Sequence, residues 1–172
     1  MSSNLNLDFG ITQTAQCVFF WQPDGWASNW TPSVFVVDGV QYNCAEQYMM
    51  ASKAKLFNDE KTYELIMNAT DPKTQKSLGR KVKNFDEEIW KDQCSQIMLK
   101  GLTEKFSQNP DFKEKLLATG SKTLAEASPF DKIWGIGISP TEAARKNITK
   151  DKFKGLNLLG NILMQVRDAL NA

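Results

Sequence analysis

Residues 33–57 read SVFVVDGVQYNCAEQYMMASKAKLF. The first half sets β-branched and aromatic residues on either side of Asp38-Gly39. That is the pattern of a hairpin closed by two residues of positive φ. After Asn43 the texture turns helical, with Asn43 read as the N-cap and Glu46 as the acid at the third helical position. Seven residues span almost two helical turns, so Glu46 and Lys53 project within about 20° of each other. Met50 lies between them and Phe57 extends the line, while Tyr48, Ala51 and Ala54 turn away to pack. One helix face therefore carries an acid, a thioether, an amine and a ring. Two readings stand for each charge. Glu46 either closes a capping box at the positive end of the helix or faces a pocket. Lys53 is either a solvated surface amine or a desolvated one, fit to hold an anion or to attack carbon.

The rest of the chain follows the same change of period. CVFFW (17–21) reads as a strand before a turn at Pro23-Asp24-Gly25. Helices are expected near 59–68, from Asp71-Pro72 to Gly79, over 86–107, from Pro110 toward Gly120, from Ser139-Pro140, and over 157–170. Trp90, Cys94, Ile97 and Met98 form the core-facing stripe of the longest one. Residues 124–127 read as a short extended piece, and 128–138 as a loop punctuated by glycine. The sum is an α+β domain, mainly α, with a small N-terminal β element. Residues 1–14 form a polar N-terminal segment, and 15–172 the domain.

Composition narrows the chemistry. A chain of 172 residues with 41% hydrophobic content has room for one sizeable core. Its 21 basic residues are balanced by 20 acidic ones, so no global positive field drives nucleic-acid binding and only local patches remain. Histidine is absent, which excludes Ser-His-Asp and Cys-His hydrolysis and His-ligated zinc. Any general acid or base is Asp, Glu, Lys, Tyr or Cys. Cys17, Cys44 and Cys94 are scattered, odd in number and form no paired motif, so they read as buried thiols in a reducing compartment. No apolar run reaches membrane-spanning length and the N-terminus lacks a signal pattern; a cytoplasmic location is expected.

Four further stretches carry candidate chemistry. EASPFDKIWGIG places Glu126 and Asp131 on non-helical chain, with Trp134 beside Gly135 as a flat face for a base or sugar; the alternative is a core Trp among turn glycines. Ser28-Asn29-Trp30 offers an amide for a base edge or hydroxyl, or else an Asx-turn. Residues 73–83 carry Arg80 among lysines, suited to phosphates or simply solvated. Asn157, between Gly155 and Gly160, reads by default as a helix N-cap.

Taken in order, WASNW, DGVQYNCAEQYMMASKA, KSLGRKV, LAEASPFDKIWGIG and GLNLLGNILMQVR resemble the NADAR family, also called YbiA-like, from about Phe19 to Leu170. The resemblance implies a single compact, mostly helical domain and N-glycosidase chemistry at C1 of a ribosyl group. It places catalytic roles on Glu46, Lys53 and Asp131. It places substrate binding on Ser28, Asn29, Trp30, Arg80, Glu126, Trp134, Gly135 and Asn157. Two substrate classes come with it: ADP-ribose attached to guanine in nucleosides or nucleic acid, and phosphoribosylamino-pyrimidine intermediates of riboflavin synthesis. A non-catalytic ADP-ribose or nucleotide-binding module is the alternative of another class. The sequence departs from the bacterial YbiA-like pattern in two places. Gln47 follows Glu46 where those members have histidine, and GIGISPTEAARKNITKDKFKGLN forms a longer segment with its own capped helix. Both departures weigh toward the ADP-ribosyl-guanine substrate. No metal, cofactor, membrane or obligate protein partner is expected.

Overall fold

The computed structural model describes residues 5–172. In chain order the elements are β1 (Ile11–Gln13), β2 (Cys17–Phe20), β3 (Phe35–Val37), β4 (Val40–Tyr42), α1 (Ala45–Leu56), α2 (Glu60–Asn68), α3 (Pro72–Gly79), α4 (Glu87–Gln108), α5 (Pro110–Ala118), β5 (Thr123–Glu126), α6 (Pro140–Arg145) and α7 (Leu158–Leu170), with a 3-10 turn at Lys150–Lys152. The class is the expected one, mainly α with short strands. Contacts cluster in two units, Pro32–Asn109 and the residues up to Thr31 together with Pro110–Ala172.

In the Pro32–Asn109 unit, β3 and β4 pair antiparallel through Val37 and Val40. Asp38 (φ 50°) and Gly39 (φ 81°) both take the positive φ that the hairpin reading requires. α1 lies at the centre and packs on α2, α3 and α4. Tyr48 of α1 meets the hairpin through Phe35 and Tyr42, the latter edge-on at 5.1 Å. Helix starts follow the sequence closely. Asp59, Asp71 and Asp86 accept the N–H of Thr62, Thr74 and Ile89 at 3.1, 2.8 and 3.1 Å. Gln108 locks the end of α4 to the hairpin by bonding both backbone groups of Val36.

In the other unit, β2 is the central strand. It pairs antiparallel with β1 and parallel with β5, in register from Cys17↔Thr123 to Phe20↔Glu126. α7 packs on β5, α5 on α7, and α6 on β1 and β2. Cys17, Phe19, Ala125, Ala127, Ile136, Ile138 and Ala143 make its core, so the longer segment contributes core as well as surface. Ser139 caps α6 by accepting the Glu142 N–H at 3.3 Å, as the capping box predicts. Arg167 is buried, and its guanidinium donates to Thr119 Oγ1 at 2.9 Å and to the Lys122 carbonyl at 2.7 Å. All three cysteines are buried thiols. β1 falls inside the segment read as polar N-terminal chain; residues 1–4 of that segment lie outside the described residues. The parallel β2–β5 pair is not foreseen by local pattern, because its strands are about a hundred residues apart.

Candidate active site

The N-terminus of α1 overturns the capping-box reading of Glu46. Cys44, not Asn43, occupies the N-cap, with extended backbone and no side-chain cap bond. Glu46 is therefore the second helical residue and Gln47 the third. Gln47 Oε1 accepts the Asn43 N–H at 2.8 Å, the bond assigned to Glu46 by the capping reading. The Gln47 amide nitrogen also faces the carbonyls of Ile66, Met67 and Ala69, at 3.2, 3.3 and 3.4 Å. Position 47, the departure from the bacterial pattern, thus ties α1 to the end of α2. Glu46 is a carboxylate only 3% exposed, on the face it shares with Lys53.

Lys53 is half-buried, and its amine lies over two aromatic rings. Its Nζ lies 4.4 Å from the centroid of the Phe85 ring and 6.0 Å from that of Trp90. Phe85 in turn stands edge-on to Phe57 at 5.3 Å. Burial pushes the Lys53 amine below the usual lysine range; the Glu46 carboxylate pulls the other way, and the Arg80 guanidinium adds to the lowering. Arg80 sits at the C-terminal end of α3 with an exposed side chain. Glu46, Lys53 and Arg80 are thus brought into one electrostatic neighbourhood.

The sequence pattern gives Phe85 no separate role and places Trp90 only in the core-facing stripe of α4. A signal was present. Phe85 precedes the Asp86 cap and Trp90 is the fourth helical residue, the two positions of a hydrophobic staple.

The second group of predicted residues lies in the other unit, on a laced loop. Ser128 Oγ accepts the N–H groups of Phe130 and Asp131, both at 3.2 Å. Asp131 Oδ1 accepts those of Ile133 and Trp134, both at 2.9 Å. One oxygen of Asp131 therefore shapes the loop. Gly135 is buried where a Cβ would lie 2.8 Å from the Asp131 carbonyl oxygen and 2.9 Å from that of Glu126, so no larger residue fits. Asn157 is corrected from its default role. It precedes α7 in left-handed conformation (φ 54°) and makes no side-chain cap bond. Instead Nδ2 donates to the Leu124 carbonyl at 2.9 Å and Oδ1 accepts the Glu126 N–H at 3.2 Å. With the residue 2% exposed, both amide atoms clamp β5 and position Glu126. Trp134 is half-buried. In the same unit Ser28 Oγ accepts the Trp30 N–H at 3.1 Å, an ST-turn. Asn29 Oδ1 is buried with no donor among the described residues.

Residues 19–171 match the NADAR domain family model. The chain is 48% identical over 128 residues to an N-glycosidase of Acanthamoeba polyphaga mimivirus, covering 74% of each chain. It is 32% identical over 143 residues to the N-glycosidase YbiA of Escherichia coli, covering 83% of this chain and 79% of that one. The NMR structure of E. coli YbiA matches with a TM-score of 0.73 at 28% identity, over 96% of this chain and 90% of that one. A riboflavin biosynthesis protein of Vibrio vulnificus is 32% identical over 173 residues, 99% of this chain but 43% of that longer one. The chain belongs to the NADAR family. It is an enzyme of the N-glycosidase class, the activity for which the mimivirus and E. coli relatives are named. Among the described residues no helix is long and apolar enough to cross a membrane.

Proposed function

We propose that the protein removes ADP-ribose from guanine, in a nucleoside or in nucleic acid, by cleaving the bond between the ribosyl C1 and the base nitrogen. The observation that carries this reading is a buried carboxylate, Glu46, and a half-buried amine, Lys53, on one face of α1, with burial lowering the basicity of the amine. Breaking a ribosyl C–N bond builds positive charge at C1 and the ring oxygen, and a low-dielectric carboxylate stabilises it. Lys53 supplies the nucleophile in its neutral form. Nζ bonds to C1 as the C1–N bond to the base breaks, and the proton lost by Nζ passes through the Glu46 carboxylate to the leaving nitrogen. Ring opening then breaks the bond from C1 to the ring oxygen, which takes the second Nζ proton and leaves C1 doubly bonded to Nζ. Water adds at C1 and expels the amine, returning Lys53 and releasing the sugar.

Arg80, exposed beside this pair, suits the diphosphate. The buried acceptor Asn29 Oδ1 suits a hydroxyl or amino donor of the substrate. Asp131 is the second catalytic carboxylate proposed, and Trp30, Glu126, Trp134 and Gly135 are proposed to bind substrate. The preference for ADP-ribosyl-guanine over riboflavin intermediates is supported by the two departures from the bacterial pattern. Gln47 is committed to holding the start of α1, and the longer segment adds α6.

The test is a side-by-side assay with mass readout, offering ADP-ribosylated guanosine, ADP-ribosylated DNA and phosphoribosylamino-pyrimidines. Release of guanine-containing product is expected. Cleavage of the pyrimidines alone would reverse the assignment.

A further inference from the structure

We propose that Phe85 is a positioning residue for Lys53, a roof that holds the amine on the Glu46 face of α1. The inference rests on the reading of Lys53 as the reacting amine. A lysine side chain gives up about 1.5–2 kcal/mol of rotamer freedom when fixed, so a reacting amine needs something to hold it. Phe85 is built to do so. It leaves 44% of its surface exposed, so core burial does not account for its place. Its ring is set instead by Phe57 at its edge, with the Lys53 Nζ 4.4 Å from its centroid.

The segment that carries Phe85 is tied on both sides. Before it, the Lys83 N–H donates to Asp59 Oδ2 at 2.9 Å, and Asn84 turns the chain at φ 59°. After it, Asp86 caps α4 through the Ile89 N–H. Asp59 accordingly does two jobs: it caps α2 and anchors the approach to Phe85.

The ring acts on the amine in two opposed ways. Its π face favours the ammonium form, and its bulk keeps water from one side and favours the neutral form. Burial is the largest influence on the Lys53 amine, and we take the Phe85 ring, 4.4 Å from Nζ, as part of what buries it. The charges that act on the amine are Glu46 from α1 and Arg80 from the end of α3, while α4 contributes the Trp90 ring. Phe85 thus places Nζ and keeps it reactive, without itself touching the sugar.

The experiment compares Phe85→Ala and Phe85→Tyr with the parent enzyme. Turnover is followed against pH, and the Lys53 amine is titrated without substrate by pH-dependent acylation read on the Lys53 peptide. For Phe85→Ala, kcat should fall on the order of 10- to 100-fold with little change in KM. The acylation midpoint should rise toward the usual lysine range, carrying the acidic limb of the kcat profile with it. Phe85→Tyr should restore both, and a urea denaturation midpoint of Phe85→Ala near the parent value separates the effect from a fold defect. An unchanged acylation midpoint in Phe85→Ala, or a fall in kcat with an unmoved pH profile, would overturn the proposal. Lys53→Ala separates the two claims. If it keeps full activity while Phe85→Ala still shifts the midpoint, the roof stands and the nucleophile does not.

Discussion

Gln47 Oε1 lies 2.8 Å from the backbone nitrogen of Asn43, and this bond relieves the neighbouring Glu46 of the capping duty its spacing suggested. Two adjacent side chains at the start of one helix have divided the work. The amide holds the backbone, and the buried carboxylate shares a helix face with the lysine seven residues on and raises its basicity.

That division is measurable. Gln47→Ala removes the acceptor at Asn43 and the donor facing the last carbonyls of α2, leaving buried groups unsatisfied. It should lower stability by about 2 kcal/mol, read by urea denaturation. Glu46→Gln keeps the shape and should leave the denaturation midpoint near the parent value. A large loss of stability in Glu46→Gln would return Glu46 to a structural role.

Glu46→Gln and Lys53→Ala should each lower kcat by on the order of 100-fold or more in the ADP-ribosyl-guanosine assay. Borohydride added during turnover should trap a sugar adduct on the Lys53 peptide. Turnover with no adduct would leave Lys53 a charge that binds substrate rather than a nucleophile.

Lys105 makes stability depend on pH. It is fully buried on α4, and burial pushes its amine down to about 7, with Cys44 opposing the shift. The unfolded chain holds this proton up to the usual lysine range and the folded chain releases it near 7. Between those limits the unfolded state binds more protons, so this residue's contribution makes stability rise as pH rises from about 7 toward 10. Lys105→Met should flatten that part of the profile, because an apolar chain of similar length has nothing to titrate. Denaturation midpoints taken across this range check it; an unaltered slope in Lys105→Met would assign the dependence elsewhere.

Asn157→Ala should cost about 2 kcal/mol, since the Leu124 carbonyl and the Glu126 N–H both lose their partner. The left-handed backbone there also suits asparagine better than alanine. Urea denaturation gives the value. A loss of activity with unchanged stability would point instead to direct contact with substrate.

Much of this protein follows from local pattern. Asp38-Gly39 determined the hairpin, because few residue pairs tolerate two successive positive φ angles. Asp71 and Ser139 marked helix starts, because a short side-chain acceptor satisfies N–H groups that the helix cannot. The seven-residue spacing put Glu46 and Lys53 on one face. Local pattern could not say which of Glu46 and Gln47 would cap, because that depended on whether the N-cap fell at Asn43 or Cys44 and on carbonyls of α2 some twenty residues away. Nor could it show that Phe85 roofs Lys53 or that Asn157 clamps β5. These are contacts between segments distant in sequence, and only packing brings them within reach. Spacing along the chain set which chemical groups share a face; packing set which of them are buried and what they bond, because those partners come from segments distant in sequence.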